Sequence, residues 1–450
     1  MLSSDHKFMF IFPGQGSHYR GMGSDLCAEF AVARSVYERA SSVLDFDIEE
    51  LSFRDPTGDL DRTQYTQIAV LTHAIACLEV FKSLTGDAVQ PYVTAGHSVG
   101  EYAALVAAGA LDFENALRIV RARAGAMANY GRGRMVALRL GVATVRSFVD
   151  RFYCGIGGCN LPDQTVVGGA EDDLARLVDF VRDEYGVVAV PVRAEGAFHT
   201  YLMTRAAEEF RPVLDSYDLT PPKCKILSNY SGKYHSSAPD TIKAHLFFQI
   251  FNPVRWMWDL RHALNDGVEV IIEFGGGMGP GPRPDDKVPN LQNITRAALR
   301  RQQRSSVYRS AISSQPLRET AHFSTAYASL SERVDDRLSS LGGIGNAVEQ
   351  RWCRLYVPIF KSMPSASALE MIQRVGELGL TNVVQIVGEP ADQNLESLRW
   401  LGVETRDEPQ PYLEVVYASE AAAVVHYFGP DVPPQLAALM TAASTPDQVA

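Results

Sequence analysis

Short apolar runs alternate with helical stretches along most of this chain, which predicts an α/β fold. Phe8-Met9-Phe10-Ile11-Phe12 is continuously apolar and is closed by Pro13-Gly14, so residues 7–12 read as a buried first strand. Residues 23–85 carry helical patterns with polar breaks. Their most apolar part, 68–81, contains Thr72 and His73 and reads as a core helix, short of the ~20 apolar residues of a membrane span. An apolar approach over 89–95 predicts another strand. A helix over 101–110 follows, then a second over 113–127 on which Ala116, Ile119, Val120 and Met127 recur at helical spacing.

The texture changes at residue 133. Strands are predicted at 135–138, 164–169 and 187–192, with helices at 143–152 and 175–185. This βαββαβ-like order suggests a small ferredoxin-like antiparallel subdomain, 133–197, inserted into a larger unit made of 1–132 and 198–300. The larger unit resumes with a long helix after Phe198-His199, strands at 225–229 and 268–274, and a helix containing Trp256 and Trp258. A Gly/Pro-rich loop spans 275–289, and the Ser-rich stretch 301–349 reads as a partly helical linker. A fresh pattern over 350–430 predicts a small α/β domain. It has strands at 354–360, 382–388 and 412–417, helices at 366–378 and 394–401, and a strand or helix at 421–428; residues 431–450 read as a tail. The expected architecture is therefore α/β. It comprises a large α/β-hydrolase-like core with a mainly parallel sheet, the small inserted ferredoxin-like subdomain, and a C-terminal α/β domain of unassigned role.

Bulk composition narrows the class. A chain of 450 residues corresponds to about three domain-sized units, and 46% apolar with 21% charged residues suits a globular protein with a large core. The net charge of -11 argues against a nucleic-acid binder, and no segment suggests membrane binding. Six cysteines (Cys27, Cys77, Cys154, Cys159, Cys224 and Cys353) lie scattered with no C-x-x-C pair, which predicts a reduced, cytoplasmic protein and no metal site.

Gly96-His97-Ser98-Val99-Gly100, between a predicted strand and helix, has the layout of a nucleophile elbow. A serine on so tight a turn leaves no room for side chains two residues away. The following helix directs N–H groups toward a developing negative charge. On this motif alone a Gly-rich βα turn with an incidental serine is as good a reading. Pro13-Gly14-Gln15-Gly16-Ser17 is a second tight glycine loop. It lacks nucleotide-loop spacing and could present backbone N–H groups to an oxyanion. Among ten histidines, His199 lies at the junction between the inserted unit and the larger one, where a cleft would form. By spacing alone it is better read as a helix-start residue.

Five motifs taken together carry more weight. Phe12-Pro13-Gly14-Gln15-Gly16-Ser17, Gly96-His97-Ser98-Val99-Gly100-Glu101-Tyr102, Arg123, Ala197-Phe198-His199, and Gln249 with Asn252-Pro253-Val254-Arg255-Trp256 occur in this order. Over residues 7–300 the chain resembles the malonyl-CoA:acyl carrier protein transacylase family, including the acyltransferases of polyketide synthases. The resemblance implies that Ser98 is the nucleophile and His199 its base, oriented by the backbone carbonyl of Gln249. It implies an oxyanion hole of the Gln15 and Val99 N–H groups, and Arg123 as the partner of the malonyl carboxylate. His97, Met127, Asn160 and Phe198 would line the pocket. Ala-Phe-His favours malonyl in the polyketide branch, and the bulk of Phe198 would crowd a substituted α-carbon.

The chemistry is consistent with those roles. Acyl exchange between thioesters needs a nucleophile, a base and an oxyanion site but no cofactor, the CoA thioester being a substrate. Arginine meets a planar carboxylate through two parallel N–H bonds. The chain departs from the family in its long loop after Glu273 and in Thr200, where serine is commoner. The expected partners are malonyl-CoA and an acyl carrier protein of a fatty-acid or polyketide synthase. Residues 287–318 hold only basic charges, which makes Arg296, Arg300, Arg301 and Arg304 docking candidates for an acidic carrier; a solvated helix face is an equal reading. The alternatives are an editing acyl hydrolase, which needs no carboxylate clamp, and a non-catalytic carrier-binding protein.

Overall fold

Phe8–Phe12 forms strand β1, with every residue buried. The computed structural model describes residues 6–281, 283–302 and 306–340, together with four strands further on. In chain order the next strands are β2 (Val93–Gly96), β3 (Arg134–Leu138), β4 (Gly155–Leu161), β5 (Gln164–Gly169) and β6 (Val190–Pro191). They are followed by β7 (Lys225–Ser228), β8 (Lys233–Tyr234), β9 (Val270–Phe274) and β10 (Val307–Ala311).

The main sheet has the order β10-β9-β1-β2-β7-β8. Its β1/β2, β1/β9, β9/β10 and β2/β7 pairs are parallel, and only β7/β8 is antiparallel. Strands covered on both faces are continuously apolar, and β1, β2 and β9 are buried throughout. On one face Met9, Ile11, Val93, Ala95 and Ile271 pack against Trp256, Leu260 and Leu264 of the helix Trp256–Asn265. The helix Thr63–Thr85 is long and apolar enough to span a bilayer by length and composition, but its most apolar stretch is largely buried.

The inserted segment forms a separate antiparallel sheet of order β4-β5-β3-β6. Leu174, Leu177 and Val181 of the helix Glu171–Tyr185 join Val136, Leu138 and Val167 in its core. The sequence pattern missed β4, because Gly155, Gly157 and Gly158 look like a loop. They are glycine for steric reasons: a Cβ on Gly157 would lie 2.4 Å from Met135 and 2.8 Å from the Phe198 carbonyl. The helix expected over 143–152 divides into Val142–Arg146 and a 3-10 turn, Val149–Phe152, and the strand expected over 187–192 shortens to β6.

One expectation is corrected outright. Residues 307–311, expected in the linker, pair with β9 as the edge strand β10. Tyr308, Arg309 and Ser310 are only half-buried, so a short segment with polar residues at its centre concealed an edge strand. The helix Ser314–Ser340 follows it.

The chain divides into two compact units. One contains Lys7–Ser83 and Gln90–Arg318; the other contains Leu84–Val89 and the chain from Glu319 onward. In the latter, β11 (Cys353–Ile359), β12 (Asn382–Val387), β13 (Tyr412–Ser419) and β14 (Ala422–Gly429) form a sheet of order β11-β14-β13-β12. The pairs β11/β14 and β13/β14 are antiparallel and β12/β13 is parallel. The segment read as strand or helix at 421–428 is a strand. The helices expected at 366–378 and 394–401 and the tail lie outside the described residues.

Candidate active site

Ser98 stands between β2 and the helix Gly100–Ala107 with φ of 54°. A left-handed non-glycine residue costs about 1–3 kcal/mol, so its surroundings must hold it. The flanking glycines show how tight the turn is. A Cβ on Gly96 would lie 1.9 Å from the Gly100 carbonyl carbon, and one on Gly100 would lie 2.3 Å from the Phe12 carbonyl oxygen. The His97 N–H donates to that Phe12 oxygen at 2.9 Å, which ties the elbow to β1.

His199 is a second positive-φ residue, at 62°. Its N–H donates to the Ile250 carbonyl at 3.2 Å. Its Nδ1 is 2.7 Å from the Gln249 carbonyl, and its Nε2 is 2.7 Å from Ser98 Oγ. A carbonyl can only accept, so Nδ1 carries the proton and Nε2 accepts from the Ser98 hydroxyl. Burial pushes the imidazole pKa down to about 3, with the Arg123 charge adding to the effect. His199 is therefore neutral near pH 7. Gly157 and Gly168 leave room for the 197–200 turn; a Cβ on Gly168 would lie 2.9 Å from the Ala197 Cβ.

Arg123, on the helix Phe113–Tyr130, is fully buried. Its Nη2 donates to Ser98 Oγ at 3.1 Å and to Gln249 Oε1 at 2.9 Å; its Nη1 donates to Gln67 Oε1. Among the described residues it forms no ion pair. Burial lowers its pKa, but a guanidinium stays charged at neutral pH. Arg118 and Arg121, on the same helix, bond at the surface to Asn115 and Asp45.

The remaining expected positions surround these three. Among the described residues, the backbone N–H groups of Gln15 and Val99 donate to no protein acceptor. Gln15 Nε2 donates to Thr63 Oγ1 at 3.0 Å, and Met127 Sδ is 3.6 Å from Gln67 Nε2. Asn160 Oδ1, at the end of β4, meets His97 Nε2 at 3.0 Å, and the His97 ring meets Trp256 edge-on. Phe198 is buried beside His199. Sequence reasoning missed Gln67, Asn229 and His235. Gln67 was hidden in a core helix pattern. Asn229 and His235 sit beyond the quoted motifs and carry no spacing signal. Gln249 Nε2 donates to the Ser98 carbonyl at 3.0 Å and to Glu101 Oε2 at 2.7 Å, and Glu101 also meets the buried His235 at 2.7 Å.

Of the basic candidates, Arg300 is exposed and Arg296 lies over the Tyr308 ring. Arg301 is 2.5 Å from Asp163 at the β4–β5 turn, and Arg304 lies outside the described residues.

A parallel α/β sheet bearing a Ser–His pair, with free N–H groups beside it, defines an enzyme of acyl chemistry. Residues 9–275 match the acyl transferase domain family, and the chain belongs to it. The malonyl CoA-acyl carrier protein transacylase of Bacillus subtilis (strain 168) is 34% identical over 280 residues, 60% of this chain and 87% of that protein. A solved acyl-carrier-protein S-malonyltransferase from Burkholderia pseudomallei superposes with a TM-score of 0.62 at 33% identity, covering 70% of this chain and 99% of that one. A malonyl-transacylase solved in complex with its type II PKS acyl-carrier protein has a TM-score of 0.61 at 27% identity, covering 69% and 97%.

Proposed function

We propose that this chain is a malonyl-CoA:acyl carrier protein S-malonyltransferase that works through a Ser98 acyl-enzyme. Ser98 Oγ attacks the malonyl thioester carbonyl as His199 Nε2 takes its proton. The oxyanion is held by the N–H groups of Gln15 and Val99. Collapse expels the CoA thiolate, which recovers the proton from His199. The carrier's thiol then gives its proton to His199 and attacks the serine ester, which transfers malonyl and regenerates Ser98. The Gln249 carbonyl keeps His199 in the tautomer this needs.

The observation that carries this reading is Arg123. A buried guanidinium 3.1 Å from Ser98 Oγ makes its direct hydrogen bonds only to neutral amide and hydroxyl oxygens, so the free carboxylate of a bound malonyl would supply a directly bonded counter-charge. An acyl hydrolase for uncharged acyl groups has no use for this cation. The small Asn160–His97 contact and the bulk of Phe198 suit an unsubstituted malonyl chain. Arg296, Arg300 and Arg301 supply a basic face for the carrier, in a polyketide or fatty-acid pathway.

Covalent loading tests the reading. Intact-mass measurement after mixing with malonyl-, methylmalonyl- or acetyl-CoA is expected to show malonyl on the wild type and none on Ser98→Ala. Arg123→Ala is expected to shift loading toward acetyl. Malonyl adduct persisting on Ser98→Ala would overturn the nucleophile assignment.

A further inference from the structure

The left-handed Ser98 is held by one side chain on both sides of the turn. Asn229, fully buried just after β7, accepts the Ser98 N–H through Oδ1 at 2.6 Å. Its Nδ2 donates to the Gly96 carbonyl at 2.8 Å and to Asp259 Oδ2 at 2.9 Å. Its backbone is pinned as well, with the N–H 3.3 Å from Glu101 Oε2 and the carbonyl accepting from Arg255 N at 3.0 Å. Asp259, on the helix Trp256–Asn265, is also fully buried. Asp259 Oδ2 and the Gly96 carbonyl both accept from Nδ2 while the Ser98 N–H donates to Oδ1, so together they fix which end of the amide faces Ser98.

We infer that Asn229 and Asp259 are positioning residues for acyl transfer. Asp259 sets the orientation of the Asn229 amide, and that amide brackets the elbow so that Ser98 Oγ faces His199. By taking the Ser98 N–H, Asn229 also leaves the next N–H, that of Val99, as the donor for the oxyanion. Neither side chain touches the acyl group, so substrate binding through Arg123 is left intact. A misplacement of about 1 Å at a reacting group can cost about 100-fold in rate, which sets the expected size of the effect.

This inference rests on Ser98 being the nucleophile, and the experiment separates the two. Full-length wild type, Asn229→Ala, Asp259→Ala and Asp259→Asn are compared by thermal melting, by the rate of Ser98 labelling with a fluorophosphonate, and by single-turnover malonylation from malonyl-CoA. Asn229→Ala is expected to slow both acylations about 100-fold with the malonyl-CoA KM within about twofold. Asp259→Ala is expected to slow them about tenfold, and Asp259→Asn, whose amide oxygen still accepts from Nδ2, to restore most of the rate. Asn229→Ala acylating at the wild-type rate, or raising KM alone, overturns the inference. So does Asp259→Asn failing as badly as Asp259→Ala, a comparison that stands even where Asn229→Ala does not fold. A wild type that takes the fluorophosphonate on Ser98 but no malonyl overturns the transfer reading and leaves the positioning of Ser98 intact.

Discussion

Arg123 and Arg301 place the same guanidinium under opposite physics. Arg301 is exposed and has a carboxylate, Asp163, at 2.5 Å. Such surface pairs contribute about 0–1 kcal/mol and are screened by salt. Arg123 is fully buried and, among the described residues, forms no ion pair, although the nearby Glu101 charge favours its protonated form. Its partners are the oxygens of Gln67, Gln249 and Ser98, with the Tyr102 ring 5.7 Å away. A buried cation whose direct hydrogen bonds go only to neutral oxygens, with Glu101 acting on it from behind Gln249, keeps much of its attraction available for a ligand. The exposed arginine has already spent its own on a neighbour across the surface, and what remains acts at long range.

The same buried charge also acts on His199, and removing the base proposed there is the largest expected effect. His199→Ala should lower malonyl transfer about 10³- to 10⁴-fold, measured as single-turnover acylation. The pH profile sharpens the point. With a pKa near 3, depressed first by burial and then by Arg123, His199 stays in its base form through mildly acidic solution. Acylation should therefore hold nearly constant from about pH 8 to about pH 5, where an unperturbed histidine would lose most of its activity. The stability sign follows from the same shift. In the unfolded chain the histidine binds a proton near its ordinary value, so the folded state loses stability as pH falls below that value toward 3. A rate that halves near pH 6.5 would contradict the neutral, buried imidazole.

Next in size is Arg123 itself. Arg123→Ala should lower kcat/KM for malonyl-CoA about 100-fold or more and leave acetyl-CoA within a few-fold. Arg123→Lys should recover little, because an ammonium cannot meet a carboxylate through two parallel bonds. Equal losses for both acyl donors would mean that the arginine supports Ser98 rather than the substrate. Gln67→Ala tests the support of the clamp. Losing one hydrogen bond to Arg123 should cost malonyl transfer about tenfold, again with little change for acetyl.

How much of this was legible in the sequence varies by region, for physical reasons. Strands buried on both faces announce themselves, as β1 and β9 do, because burial demands continuous apolar residues. The glycines at 96 and 100 and the serine between them are legible because the turn tolerates nothing else. β4 was illegible because its glycines answer to the chain packed against them, not to strand propensity. β10 was concealed by its half-buried centre, Tyr308-Arg309-Ser310, since an edge strand has one side to dissolve. The amides of Gln67 and Asn229 carry no periodicity, and only the folded chain shows that one faces Arg123 and the other Ser98. The resemblance pointed to the candidate positions, whereas the side chains packed around them are visible only in three dimensions.

The smallest expected effect lies at the exposed end of the comparison. If the basic helix Gln292–Arg301 meets an acidic carrier, its charges act through encounter, which the surrounding salt screens. Arg300→Glu should raise the apparent KM for carrier a few-fold, more at low ionic strength, and leave the KM for malonyl-CoA unchanged. Arg301→Glu should do the same and additionally place a carboxylate against Asp163, so its effect combines lost attraction with a repelled β4–β5 turn. Pairing Arg301→Glu with Asp163→Arg separates the two. The reversed pair restores the local ion pair while moving the positive charge across to the turn. If carrier KM recovers in the reversed pair, local closure of that contact matters more than where the charge sits. If it stays high, the helix face itself is what the carrier reads. Carrier kinetics unmoved by either arginine at low salt would remove the docking role and leave this run as a solvated surface.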